Sequence, residues 1–120
     1  MDTNWPVPEH TGDACALALM LHKLGGKWKC IILWHVMDRP LRFTEIRARI
    51  PGITQKMLTQ QLRDLETDGF LTRKIFAQVP PKVEYSATPL TFTLRPTLIA
   101  MHEWSAEHLL KQKAKRKKKA

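Results

Sequence analysis

A change of hydrophobic period at Gly69 constrains this chain more than any other feature. Before it, Leu58, Leu62 and Leu65 recur every three to four residues with Met57 beside them, the signature of one inner helical face. After it, FLTRKIFAQVPPKVEYSAT alternates as strands do, with a turn at Pro80-Pro81-Lys82. Just upstream, Phe43, Ile46 and Ile50 mark a short amphipathic helix that Pro51-Gly52 ends. Two short helices joined by a Pro-Gly turn and followed by a strand pair predict a winged helix-turn-helix.

The remaining elements frame this unit. Residues 1–12, with Pro6, Pro8 and Gly12, read as a flexible lead-in. Asp13 is the expected N-cap of a first helix, DACALALMLHKL, which Gly25 and Gly26 stop. KWKCIILWHVM is apolar nearly all round, with Trp28, Ile31, Ile32 and Val36 at helical spacing. That pattern predicts a central, buried helix broken at Asp38-Arg39-Pro40. Thr88 and Pro89 suit the N-cap and first position of a long last helix to about Leu110, with a kink expected near Pro96. The fold class is thus mainly α with a small β-hairpin wing and helices at both ends. The domain spans residues 13–110, and residues 111–120 form a disordered Lys-rich tail.

Charge sharpens the reading. The chain carries 20 Lys and Arg against 11 Asp and Glu, a formal net charge of +9. Seven of those bases lie in the last ten residues, so residues 1–110 hold 13 bases against 11 acids. The body is nearly balanced, and what counts is where its bases sit. The tail could add non-specific affinity for DNA, or be a solvated or appended end.

With Leu58, Leu62 and Leu65 inward, Gln55, Lys56, Thr59, Gln60 and Arg63 fall on the opposite face of the fourth helix, which Thr54 caps. These side chains suit a major groove. Gln bonds adenine, Lys and Arg reach guanine or phosphate, and the Thr methyl touches thymine. Arg42, Arg47 and Arg49 flank this strip on one side. Arg73, Lys74 and Lys82 flank it on the other, placing a basic tip on the wing. Taken alone, such a helix face could simply be solvated; the ordered series of turn, reader helix and basic hairpin favours double-stranded DNA as partner. The alternative is a winged helix that binds protein and leaves its basic face idle.

No enzyme signature is present: there is no Gly-rich phosphate loop, nucleophile elbow or paired-carboxylate arrangement. Cys15 with His22 and Cys30 with His35 match no zinc spacing, so neither metal nor cofactor is expected. His102 and His108, like His22 and His35, read as surface or packing residues. No apolar run is long enough to span a bilayer, and the N-terminus lacks the pattern of a signal peptide, so a cytoplasmic location without membrane contact is expected. Cys30, in the most apolar helix, reads as core.

The run from Leu24 to Thr88 resembles the HxlR-type family of bacterial winged-helix transcriptional regulators. The resemblance rests on Gly26-Lys27-Trp28, Arg42-Phe43, Pro51-Gly52-Ile53, the Leu58 to Leu65 helix, Asp68-Gly69, Arg73, and Pro80-Pro81 followed by Val83-Glu84-Tyr85. Trp104 also fits, and the match covers roughly residues 15–108. It implies a homodimer, built through the first and last helices, on a partly palindromic promoter site. Leu90, Leu94, Leu98 and Met101 form one stripe of the last helix; Phe92, Ile99 and Leu109 add apolar surface. The first helix offers Leu17, Met20, Leu21 and Leu24. That is more apolar surface than one small core needs. Thr91 departs from the family, which usually carries Gly there. Cys15 matches a cysteine that opens many members and that in some senses oxidants or electrophiles. An oxidant or small-molecule effector is therefore implied, although Ala14 and Ala16 suit a buried structural thiol equally well.

Overall fold

The computed structural model describes residues 15–112. The lead-in at residues 1–12, the Asp13 cap and tail residues 113–120 lie outside the described residues. The helices are α1 (Ala16–Leu24), α2 (Lys29–Val36), α3 (Phe43–Arg49), α4 (Gln55–Thr67) and α5 (Pro89–Ser105). Strands β1 (Leu71–Phe76) and β2 (Lys82–Ala87) lie between α4 and α5. A π-helical turn, Ala106–Leu110, extends α5, and helical backbone continues through Lys111 and Gln112, two residues into the expected tail. There Lys111 pairs with Glu107 one turn back at 3.1 Å, a pairing that favours continued helix.

Local chemistry fixes the boundaries. Cys15, extended and without a side-chain cap bond, occupies the N-cap position of α1, so the helix opens later than a cap at Asp13 would place it. The α3 N-terminus is half a capping box: Glu45 accepts the Arg42 N–H at 2.9 Å, while the Arg42 side chain has no acceptor to return. Thr54 caps α4 by accepting the Met57 N–H at 3.1 Å. Gly69, at φ +84°, ends α4 in the left-handed conformation that Gly adopts at least cost.

The core lies where α2, α3, α4 and β1 meet. Ile32, Leu33, Val36, Leu41, Ile46, Leu58, Leu62, Leu65 and Leu71 are all at most 2% exposed. The expectation of an all-round buried α2 is corrected: Ile31 and Trp34 remain open to solvent, because only the Ile32, Leu33 and Val36 side meets the body, and Trp28 stands just outside the helix. The stripe expected on α5 divides as well. Leu98 is buried and Leu94 packs on the core, whereas Leu90 and Met101 stay exposed.

The hairpin pairs antiparallel from Leu71↔Ala87 to Phe76↔Lys82. It is tied to the body by a bridge that sequence periodicity did not reveal. Leu41 donates its N–H to the Tyr85 carbonyl at 3.0 Å and accepts the Tyr85 N–H at 2.8 Å. Thr91, the departure from the family pattern, is fully buried in the first turn of α5. Its hydroxyl donates to the Phe70 carbonyl, while its N–H donates to the Thr88 cap oxygen. A hydroxyl thus joins the end of α4 to the start of α5.

Candidate nucleic-acid interface

The leucine stripe sets the orientation of α4. With Leu58, Leu62 and Leu65 at 0–2% exposure, the opposite face must point outward, and Gln55, Lys56, Thr59, Gln60 and Arg63 are all exposed. Those five side chains together line one open depression. A second hollow, formed by Phe43, Thr44, Arg47, Ala48 and Gln55, continues it onto α3. A third, including Thr59, Arg63, Glu66, Arg73 and Tyr85, continues it onto the hairpin. The structure therefore joins α3, α4 and the wing into one furrowed surface.

Hydrogen bonds assign different states to these groups. Thr59 donates its hydroxyl to the Gln55 carbonyl at 2.8 Å, which leaves its methyl as the free end of the side chain. Gln60 Nε2 donates to Asp64 at 2.9 Å, so its amide is aimed before any ligand arrives. Asp64 also faces Lys29 at 3.7 Å. This acid, a turn behind the strip, was not singled out in the sequence; its spacing of four from Gln60 is the signal that could have found it. Among the described residues, Lys56, Arg63, Arg42 and Arg47 have no ion-pair partner. Arg73 faces Glu66 at 3.9 Å, a contact long and exposed enough to yield to a phosphate, whereas Arg49 is paired with Asp38 at 3.5 Å on the far side of α3.

The basic wing tip is corrected. Lys82 is half-buried on the first residue of β2, with its ammonium 4.9 Å from the Phe76 ring centre and 3.7 Å from Glu84. Lys74 lies over the same ring at 4.9 Å. The loop at residues 77–81 contains no charge, and Val79 is wholly exposed. The reason is register: the Phe76↔Lys82 pair closes the ladder, so the cations sit behind the tip rather than on it.

The two thiols differ. Cys30 donates to the Leu24 carbonyl at 3.6 Å and burial pushes its pKa up, which suppresses thiolate chemistry. Cys15 is half-buried at the α1 N-terminus. Among the described residues, no group of three or more His, Cys, Asp or Glu side chains could hold a metal ion. Likewise, no helix among them is long and apolar enough to cross a membrane.

A helix-turn-helix with an outward polar face on its second helix and an attached β-hairpin defines a winged-helix transcriptional regulator. The chain belongs to the HxlR-like helix-turn-helix family, whose pattern matches residues 23–113. It is 47% identical over 96 residues to the HTH-type transcriptional regulator YdeP of Bacillus subtilis, covering 80% of this chain and 75% of that protein. It is 49% identical over 92 residues to YybR, of the same organism and description, covering 77% of this chain and 74% of that protein. Among solved structures, the oxidized form of the redox regulator HypR superposes with a TM-score of 0.75 at 48% identity, covering 78% of this chain and 97% of that one. The reduced form of the regulator YodB from B. subtilis superposes at 0.69 with 32% identity, covering 79% and 94%.

Proposed function

We propose that the chain binds double-stranded DNA as a homodimer on a palindromic promoter site in the cytoplasm, working by binding rather than by catalysis. The observation that carries this reading is the shared depression lined by Gln55, Lys56, Thr59, Gln60 and Arg63, continuous with hollows on α3 and the wing. Gln55, Gln60 and the Thr59 methyl read base edges, and Lys56 and Arg63 reach guanine or phosphate. Thr54 holds the helix N-terminus, and Arg42 and Arg73 contact the backbone. Dimerisation is supported by apolar side chains that the monomer leaves open: Leu17 and Leu21 on α1 and Leu90, Met101 and Trp104 on α5, each at least 49% exposed. Two copies would present their α4 helices about 34 Å apart, one turn of duplex.

The test is electrophoretic retardation of the promoter upstream of the chain's own gene against random DNA of equal length. Replacing Lys56 and Gln60 together by Ala is expected to weaken promoter binding by at least tenfold, since a good base contact contributes about 1–3 kcal/mol. Random-DNA binding should change far less. Equal losses on both would refute the reader strip.

Likeness to the redox regulators HypR and YodB supports an oxidant effector acting on Cys15. In this reading Cys15→Ser abolishes any change in promoter affinity caused by mild oxidant, whereas Cys30→Ser preserves it. A response that survives Cys15→Ser would eliminate Cys15 as the sensor.

A further inference from the structure

A cavity of about 390 Å³ opens on the side of the molecule where α2, the turn after it, α3 and α5 meet. Its lining combines Trp34, His35, Asp38, Arg49, Arg95 and Ile99. This volume is within the usual range of small-molecule sites, which pair apolar walls with a few placed polar groups.

The charges select the ligand. Arg49 faces Asp38 at 3.5 Å, and these two largely cancel. Burial, with help from Arg49, lowers the His35 pKa and keeps that imidazole neutral near pH 7. Arg95 has no ion-pair partner among the described residues. One uncompensated guanidinium remains, which suits a single carboxylate engaged through two parallel N–H···O bonds. The walls select the body of the ligand. Trp34 is held against His102 with ring centres 5.1 Å apart and planes 28° from parallel. Together with Ile99 it offers a flat, firm apolar surface, and an aromatic ring gains from offset stacking on an indole.

We propose that this cavity binds a small aromatic monocarboxylate, anchored by Arg95 and stacked on Trp34. The occupant would touch α3, the first helix of the turn motif, and α5 at once. The site shares no residue with the reader strip of α4.

The test is calorimetric titration of the full chain with benzoate in the absence of DNA, so that its outcome is separate from that of the reader strip. Saturable binding is expected at one site per chain. Arg95→Gln should weaken it at least tenfold, as loss of a charge-assisted pair would, while Arg95→Lys retains part of the affinity. Trp34→Leu should weaken benzoate more than cyclohexanecarboxylate, which has the charge without the aromatic face. Benzyl alcohol, which has the ring without the charge, should not bind measurably. Circular dichroism of each variant verifies that it is folded. No saturable benzoate binding, equal affinity in a folded Arg95→Gln protein, or comparable binding of benzyl alcohol would overturn the proposal.

Discussion

Helix α5 carries more apolar residues per turn than α4, yet it buries fewer of them. In α4 the leucines at 58, 62 and 65 are sealed by the chain itself, and everything opposite them is polar. In α5 only Thr91 and Leu98 are buried over 17 residues, and Leu90, Phe92, Met101 and Trp104 are 45–57% exposed. One helix is completed within its own fold. The other leaves most of its apolar side chains uncovered in the single chain. A stripe of apolar residues therefore states that a face will be covered but not by what.

Breaking the sealed side should have the largest effect. Leu62→Ala leaves a void at a site 2% exposed and is expected to cost about 2–5 kcal/mol, read as a lowered urea midpoint at unchanged slope. The loss should include a drop in intrinsic domain stability that dilution does not alter. A cost below about 1 kcal/mol would mean that α4 is not the seated helix described here.

The open side should behave differently. Trp104, at 57% exposure, sits on the same flank of α5 as Met101. Trp104→Asp is expected to weaken self-association by about 2 kcal/mol or more, roughly thirtyfold, as seen for buried aromatic anchors. Sedimentation would register this as monomer, with the helix-turn-helix still folded. Unchanged sedimentation would move the dimer contact elsewhere.

The same contrast explains what the sequence made legible. The order of elements, the Thr54 cap, the Gly69 stop and the outward strip at 55–63 all follow from local rules, namely period, capping and left-handed turns. Three features did not. The Leu41–Tyr85 bridge pairs a single residue across 44 positions, too short to leave a period. Lys82 reads as a wing-tip residue because a Pro-Pro turn does not reveal which pair closes the ladder. Ile31 and Trp34 read as buried because an apolar helix looks the same whether its second face meets its own chain or a ligand, partner or solvent.

A subtler break lies at the joint between the two helices. Thr91→Val removes the hydroxyl that bonds the Phe70 carbonyl while preserving shape. That carbonyl also accepts the Thr88 N–H at 3.3 Å, so it is not left without a partner. The expected cost is therefore modest, about 1 kcal/mol by urea unfolding. A cost indistinguishable from zero would mean that packing alone joins α4 to α5.

The smallest effect concerns α2, which contributes to both regions: Ile32 and Val36 to the sealed core, Trp34 and His35 to the open cavity. Burial and Arg49 lower the His35 pKa below its ordinary 6.5, against a smaller pull upward from Asp38. The unfolded chain therefore holds a proton at this site more readily than the folded one. Stability from His35 is fully present above about pH 6.5 and is lost as pH falls through the lower, folded value. Glu45 acts in a separate window. The Arg42 N–H it accepts holds its pKa below the ordinary 4.5, so its contribution fades only at lower pH. Urea midpoints between about pH 7.5 and 5.5 isolate the histidine. His35→Gln should flatten the fall across that interval and leave the more acidic decline intact. If the variant shows the same slope as the parent chain, another imidazole is responsible, and the cavity wall on α2 is more hydrated than its burial indicates.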